Sequence, residues 1–540
     1  MTSTGKPSSS LSDSTRSPNP EQKPPGLLRS SLVVSSMTML SRVLGLVRDV
    51  VLARYIGAEA NADAFFVAFK VPNFLRRLFA EGAFAQAFVP VLSEYRANGS
   101  RAAVQHFIDR VAGCLGLSLI ILCTVVVLAS PVFTAIVGFG FYLHDPAKFW
   151  LTSDLLRITF PYLFLISLTG FAGAILNSYD RFAIPAITPV FLNISLIFSA
   201  VIASRWFAQP VMALAWGVIV AGCIQLVFQV PFLARLGLLP HPKVDWQDES
   251  VRKVLRLMAP AMFGVSVSQI NLLFDTILAS LLPTGSVSWL YFSDRLVELP
   301  LGVFGVGIAT VVLPNLSRDF AKGAEKFSHT LDWAVRMVLL IALPATAALI
   351  FLAEPILYTL FQYGKTETSD ILMSSYSLMA YALGLSAFML IKILASGFFS
   401  RQDTRTPVKI GIIAMVANMG LNVLFVVPLY LYFGLGHVGL ALATSCSAFL
   451  NAGLLFSRLK QDKVYQPDPG WLLFFGRIIP AILLMLAGMG LLETQFASFA
   501  VLDWWQRCLQ LTGLVVVGGG FFVGGMLLLG FRMRDLRLPS

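Results

Sequence analysis

Asp63-Ala64-Phe65-Phe66-Val67-Ala68-Phe69-Lys70-Val71-Pro72-Asn73-Phe74-Leu75-Arg76-Arg77-Leu78-Phe79-Ala80-Glu81 decides how this chain is read. From Ala62 to Tyr95 it forms 34 residues that read as one long apolar helix, yet Lys70, Arg76, Arg77 and Glu81 sit near the middle. The preceding apolar segment, 31–56, carries Arg42, Arg48 and Asp49 in the same way. A charged side chain at bilayer depth costs roughly 2.5–3.5 kcal/mol on insertion scales. Such residues persist only where they face a watery cavity or a partner. Cations outnumber acids here, so the segment reads as one wall of a wet, electropositive chamber for an anion.

The composition agrees with a lipid setting. The 540 residues are 56% hydrophobic and 13% charged, with mean hydropathy +0.76, against about 25% charged in soluble domains. Residues 1–28 are rich in Ser, Pro, Thr and Lys and lack the apolar core of a signal peptide, so a disordered cytoplasmic tail is expected. The net charge of +11 points to membrane topology rather than to nucleic acid. Five cysteines lie inside apolar segments without metal or disulfide spacing and read as small core hydrophobes.

Working outward, apolar runs of about 20 residues predict an all-α polytopic membrane protein with about 14 transmembrane helices. They fall near 31–56, 62–95, 104–138, 153–177, 183–204, 210–234, 251–282, 286–317, 327–361, 370–398, 407–432, 437–458, 471–494 and 505–531. With the N-terminus cytoplasmic, the inside loops and C-terminal tail hold twenty Lys and Arg, among them Arg96, Arg181, Lys243, Arg256, Lys322 and Arg401. The outside loops hold five: Arg54, Lys148, Arg205, Lys365 and Arg507. That bias predicts an even number of crossings with both ends inside.

The chain also repeats. Phe88-Val89-Pro90-Val91-Leu92-Ser93 echoes Val312-Leu313-Pro314-Asn315-Leu316-Ser317, and Asn177-Ser178-Tyr179-Asp180-Arg181 echoes Ser400-Arg401-Gln402-Asp403; the offsets are 224 and 222 residues. A six-span unit therefore occurs twice in parallel orientation, an arrangement that places a substrate path at the interface of the repeats. The expected organisation is a tail (1–28), an N-lobe (29–236), a cytoplasmic linker (237–250), a C-lobe (251–460) and two further helices with a short tail (461–540).

Several charge sets follow from spacing. Arg42 and Asp49 lie seven apart on nearly one helix face, as do Asp63 and Lys70, while Arg77 and Glu81 can pair at i,i+4. Helix–helix ion pairs and snorkelling account for Arg54 and for Arg77–Glu81 but leave Arg42, Arg48 and Arg76 unexplained. Guanidinium forks suit phosphate. In the second half, Ser288, Asp294, Arg295 and Glu298 fall within three turns, readable equally as a structural ion-pair knot, and Lys392 calls for a carboxylate on another helix. Asp275 with Asn418, Asn422 and Thr444 forms either an oxygen shell for a hard monovalent cation or a set of interhelical hydrogen bonds. No H-E-x-x-H, Walker A or G-x-S-x-G pattern indicates an enzyme. Gly518–Gly520 and Gly524-Gly525 read as helix-packing residues.

The motifs Ser41-Arg42-Val43-Leu44-Gly45-Leu46-Val47-Arg48-Asp49, Asp63 to Asn73, Arg76-Arg77-Leu78-Phe79-Ala80-Glu81-Gly82, Gly285-Ser286-Val287-Ser288-Trp289 and Phe361-Gln362-Tyr363-Gly364-Lys365 resemble the MurJ (MviN) family. These are bacterial lipid II flippases of the MOP exporter superfamily. The resemblance implies two six-helix lobes around a cationic cavity, two extra helices grooved for a polyprenyl tail, and alternating access driven by membrane potential or an ion. It implies that Arg42, Arg48 and Arg76 are essential cavity arginines, with Asp63, Ser288 and Arg295 alongside. Asp49, Lys70, Arg77, Glu81, Asp294, Glu298 and Lys392 would support them. Asp275, Asn418, Asn422 and Thr444 are similar to a sodium site in some members. No other cofactor is expected; lipid II, membrane lipid and divisome or elongasome proteins are the candidate partners, in the bacterial inner membrane. The rival expectations are an organic-cation antiporter of the same superfamily, which needs an acidic or aromatic cavity, and a polyprenyl-phosphate transferase, which needs acidic metal motifs on the inside loops.

Overall fold

Polar caps and glycine turns divide this apolar chain into helices. In the computed structural model, which describes residues 27–77, 83–320 and 322–532, no strand occurs among the described residues. The first half comprises α1 (Leu27–Ile56), α2 (Ala60–Arg76), α3 (Ala83–Asn98), α4 (Arg101–Leu128), α5 (Ser130–Val137), α6 (Phe139–His144), α7 (Pro146–Thr159), α8 (Tyr162–Ser178), α9 (Ala183–Val201) and α10 (Pro210–Leu236). The second comprises α11 (Glu249–Ser280), α12 (Ser286–Pro300), α13 (Val306–Phe320), α14 (Ala324–Phe351), α15 (Ala353–Phe361), α16 (Thr368–Phe399), α17 (Arg405–Phe433) and α18 (Gly436–Gln461). Two more, α19 (Trp471–Glu493) and α20 (Trp504–Leu528), follow. Residues 1–26 of the expected tail lie outside the described residues.

The ends are set by local chemistry. Ser100 accepts from Ala103 N to cap α4, and Asp248 accepts from Ser250 N and Val251 N to start α11. Capping boxes open α16 and α20 at Glu367/Asp370 and Asp503/Gln506.

The repeat is visible in the backbone. α4 and α14 are each 28 residues long, and each is followed by a short helix, α5 or α15. Asp180 (φ 60°) and Gln402 (φ 61°) occupy the left-handed region at matching turns. There Arg181 N donates to Leu176 O (3.0 Å) and Asp403 N to Phe398 O (3.1 Å), the same helix-ending bond in both halves. Between α12 and α13 the chain makes a π-helical turn, Leu301–Gly305, directly after Pro300. Arg77, at the equivalent point after α2, is also π-helical. The stretch from Ala62 to Tyr95, expected as one helix, is thus described as α2 and α3, with 78–82 outside the described residues.

Eleven helical segments among the described residues are long and apolar enough to cross a membrane, rather than the fourteen expected. The eleven leave out α1, α2 with α3, and α11, the segments that carry Arg42, Arg48, Asp49, Asp63, Lys70 and Asp275. Residues 130–138, placed at the end of the third run by hydropathy, fall on the separate short α5 and the turn into α6, and the next span begins early, at Pro146.

Large apolar side chains cover the outside: Leu128, Leu431, Tyr432, Leu472 and Leu528 are exposed, as lipid-facing residues are. Cys114 and Cys123 are buried as expected, whereas Cys223, Cys446 and Cys508 are exposed, facing outward with this apolar surface. α19 and α20 pack on each other where Gly518 meets Met489 and Gly525 meets Ala481; Gly519, Gly520 and Gly524 face open space.

Candidate functional site

Two connected chambers lie among α1, α2, α8–α10, α11 and α12. The first has a volume of about 520 Å³ and is lined by Arg42, Arg48, Arg76 and Arg295 against two acids among the described residues, Asp49 and Glu298. The second, about 320 Å³, shares Arg48, Arg76, Arg295 and Glu298 and adds Lys70, Arg77, Asp275, Asp294 and Thr444. Three arginines come from the first half and Arg295 from the second, so the two repeats close on a common cationic space.

Asp49 organises it. Its Oδ1 accepts from Arg48 Nε (2.9 Å), Arg48 Nη2 (2.7 Å) and the Tyr291 hydroxyl (2.9 Å), and its Oδ2 lies 3.5 Å from Arg295 Nε. Arg48 also donates from Nη1 to Asn193 Oδ1 (3.0 Å) and from Nη2 to the Tyr291 hydroxyl (3.0 Å). Arg295 bonds Glu298 Oε2 at 2.8 Å and stacks over Tyr291. Arg76 Nε donates to Asn73 Oδ1 at 3.2 Å. Arg42 makes no ion pair with a described residue, and its guanidinium rests against Gly302 in the π turn. Asp49, which shares a helix face with Arg42, holds Arg48 and reaches across to Arg295.

Asp63 and Ser288 do not line these chambers. Asp63 is buried and accepts from Gly285 N (2.8 Å), Ser288 N (3.0 Å) and Ser288 Oγ (2.7 Å), with Lys148 Nζ at 3.4 Å. A carboxylate thus sits on the N-terminal amides of α12, where backbone N–H groups and the helix dipole favour an anion. Gly285 adopts φ 97°, open to glycine and strained for other residues, and this aims its N–H at Asp63. Nearby, Lys365 N donates to Arg54 O (3.2 Å), Thr366 Oγ1 to Ala53 O (2.9 Å) and Trp289 Nε1 to Asp370 (2.9 Å). The bonds of Asp63, Lys365 and Thr366 latch the two repeats at the end of the bundle where α1 finishes, while Trp289–Asp370 ties α12 to α16 within the second repeat. Hydrophobicity could not assign Asp63 to a latch, because its partners are 85 and 225 residues away. Lys148, counted as a loop charge, is buried in that latch and also donates to Thr284 (2.9 Å).

Lys70 and Asp294 share the second chamber. Glu81 lies outside the described residues, so its pairing with Arg77 does too. Lys392 is exposed, lines neither chamber and has no ion-pair partner among the described residues, contrary to the expected cross-helix carboxylate. Asp275, Asn418 and Asn422 do converge: Asn422 Nδ2 donates to Asp275 Oδ1 (2.7 Å) and to Asn418 Oδ1 (3.0 Å), and Thr444 lines the same chamber as Asp275. Asn422 Oδ1 is buried without a partner among the described residues, so an oxygen atom is left over in this set. Sequence reasoning missed Tyr291, Asn193, Gln225 and Gln229, all of which line a chamber; a polar residue inside an otherwise apolar span was the available signal.

A helical multi-pass bundle of two parallel repeats, closing on a chamber with more bases than acids, is a membrane transporter for an anion-bearing solute and not an enzyme. Known proteins narrow this class. A family model described as "Lipid II flippase MurJ" matches residues 52–507. A "Probable lipid II flippase MurJ" of Vibrio cholerae serotype O1 is 50% identical, covering 95% of this chain and 98% of the relative. That of Haemophilus influenzae is 47% identical over 93% and 99%. A solved structure described as "Lipid II flippase MurJ, inward closed conformation" superposes with a TM-score of 0.78 at 27% identity, covering 94% of this chain and 99% of the other. An inward-facing MATE-family multidrug transporter of the MOP superfamily shares the fold, with a TM-score of 0.65 at 16% identity over 80% and 98%. The chain belongs to the MurJ family.

Proposed function

We propose that this protein flips lipid II, a polyprenyl-diphosphate-linked disaccharide-peptide, from the cytoplasmic to the outer leaflet of the bacterial inner membrane. Both termini are cytoplasmic in this reading, which rests on the loop-charge bias, and the Asp63 latch then closes the outer side. One observation carries the proposal: four arginines from both repeats line one cavity that, among the described residues, holds two acids. The surplus of arginine over acid among the described lining residues suits the two ionised phosphates of a diphosphate diester, whose oxygens guanidinium forks bind bidentately. An organic cation would meet the same excess as repulsion. The head remains in the hydrated chamber while the tail lies in lipid along α19 and α20. Rocking of the repeats, with the π turn beside Arg42 as one flexible point, then exchanges access.

Asp275, Asn418, Asn422 and Thr444 would hold a coupling cation such as Na+. The orphaned Asn422 oxygen, a carboxylate and a hydroxyl make an oxygen shell suited to a hard ion. The bound ion would supply charge that couples transport to its gradient. Division or elongation proteins are proposed to meet the basic inside loops.

The test is acute inactivation of the protein in living cells, followed by measurement of lipid II accessible at the outer leaflet. Accessible lipid II falls sharply if the proposal holds, and Arg48→Ala fails to restore it at normal expression. Unchanged accessibility overturns the assignment.

A further inference from the structure

The charged groups lining the first cavity all come from α1, α2 and α12. The facing wall, built by α8, α9 and α10, carries neutral polar groups instead: Thr169, Asn177, Thr188, Asn193, Gln225 and Gln229. The two walls touch where Arg48 Nη1 donates to Asn193 Oδ1. From Asn193 the neutral wall continues along α9 to Thr188, about 7.5 Å at 1.5 Å per residue. A ligand that fits both walls carries its negative charge at one point and, directly beside it, an uncharged part rich in hydrogen-bonding groups.

Most of this wall is internally satisfied. Gln225 Nε2 donates to Thr188 O (3.0 Å), the Tyr162 hydroxyl to Gln225 Oε1 (3.3 Å) and Gln229 Nε2 to Thr188 Oγ1 (3.1 Å). These bonds fix the orientation of both glutamines and leave one atom over. Gln229 is 1% exposed, and its Oε1 has no partner among the described residues. That oxygen stands over Gly173, itself part of the lining: a Cβ there would be 3.8 Å from it and 3.2 Å from the Pro185 Cβ. A buried acceptor without a donor costs about 1–3 kcal/mol, so its retention beside a bare glycine surface points to a donor supplied by the ligand.

We propose that the α8–α10 wall is a glycan subsite, in which Gln229 Oε1 accepts an O–H or acetamido N–H from the sugar attached to the diphosphate. This rests on the flippase reading of the cavity and adds to it a selectivity for the glycosylated over the bare polyprenyl diphosphate. A site built to hydrogen-bond a hydroxyl or amide discriminates strongly against the analogue lacking it, because its own polar atom is then left unpaired.

The experiment measures binding of two probes to the full-length protein in lipid nanodiscs: a bare polyprenyl diphosphate and the same lipid carrying one N-acetylhexosamine. The wild-type protein is expected to prefer the glycosylated probe by roughly five- to tenfold, the scale of one to two satisfied hydrogen bonds. Gln229→Leu brings that ratio to about one. Gly173→Ala, on a different helix, lowers it as well and carries the test should Gln229→Leu fail to fold. Arg48→Ala weakens both probes together. A wild-type ratio near one, or a ratio unchanged in both wall variants, as when only water meets Gln229, overturns the subsite while leaving diphosphate binding intact. Failure of the wild-type protein to bind either probe overturns the flippase reading itself.

Discussion

Asp63→Asn removes the charge that fastens α2 to the start of α12. Asp63 accepts bonds from Gly285 N, Ser288 N and Ser288 Oγ at 2.7–3.0 Å and faces Lys148 at 3.4 Å. Asparagine keeps the shape but halves the acceptor capacity and turns an NH2 group toward donors. More importantly, it leaves Lys148, 5% exposed, as a buried cation without its anion. Breaking a buried pair on one side costs about 3–5 kcal/mol, which shifts a two-state equilibrium by roughly two to three and a half powers of ten. The cost falls on the latched state alone, so the variant should populate a state open at this end.

Spin labels at the exposed Glu59 and Pro283, on a background with Cys223, Cys446 and Cys508 replaced, read this directly as a distance distribution. The wild-type protein should give one short distance, and Asp63→Asn should add a longer population. Ser288→Ala removes only the hydroxyl bond and should shift the distribution less. Lys148→Met added to Asp63→Asn removes the stranded charge and should recover much of the short distance, a non-additivity that marks direct coupling. An unchanged distribution in Asp63→Asn refutes the latch, however inactive the variant is.

Gly302→Ala places a methyl where the Arg42 guanidinium rests; because the obstacle is the end of a flexible side chain, melting temperature should hold while diphosphate-lipid affinity drops severalfold in a titration. Asp275→Asn should abolish any stabilisation of the purified protein by sodium over potassium, read by thermal melting, since the carboxylate is the charged member of its oxygen set. Gly525→Leu presses into Ala481 and Leu484 and should destabilise the α19–α20 pair by about 1–3 kcal/mol. Gly519→Leu, where nothing lies within contact, should leave melting unchanged.

Lipid made part of this design easy to read in the sequence. Arg42, Arg48, Lys70 and Arg76 stand out because an apolar solvent penalises each of them, and the parallel repeat shows because its turns reuse one geometry at Asp180 and Gln402. Pairing across the bundle was not legible. Spacing shows which residues share a helix face, but not what faces them. Asp63 shares a helix face with Lys70, seven residues on, but the cation that faces it is Lys148. Lys392 looked isolated by the same logic and is merely exposed. Neutral groups were the hardest of all: Gln229 within α10 carries no charge penalty to draw attention, and its significance lies in one unpaired oxygen that only the packing of α8 against α9 reveals.

The arrangement around Asp49 also changes what the arginines are doing before a ligand arrives. Free guanidinium groups in a wet chamber would be flexible, and ordering them on binding would cost side-chain entropy of up to about 2 kcal/mol each. Arg48 is instead held by Asp49, Asn193 and Tyr291, and Arg295 by Asp49, Glu298 and the Tyr291 ring. One carboxylate from the first repeat therefore positions cations from both repeats, and a diphosphate entering the cavity meets forks already aimed. Asp49 remains in place when the ligand leaves, so the two arginines are never stranded without an anion. That is the property a carrier needs if it is to release a charged headgroup as readily as it captures one.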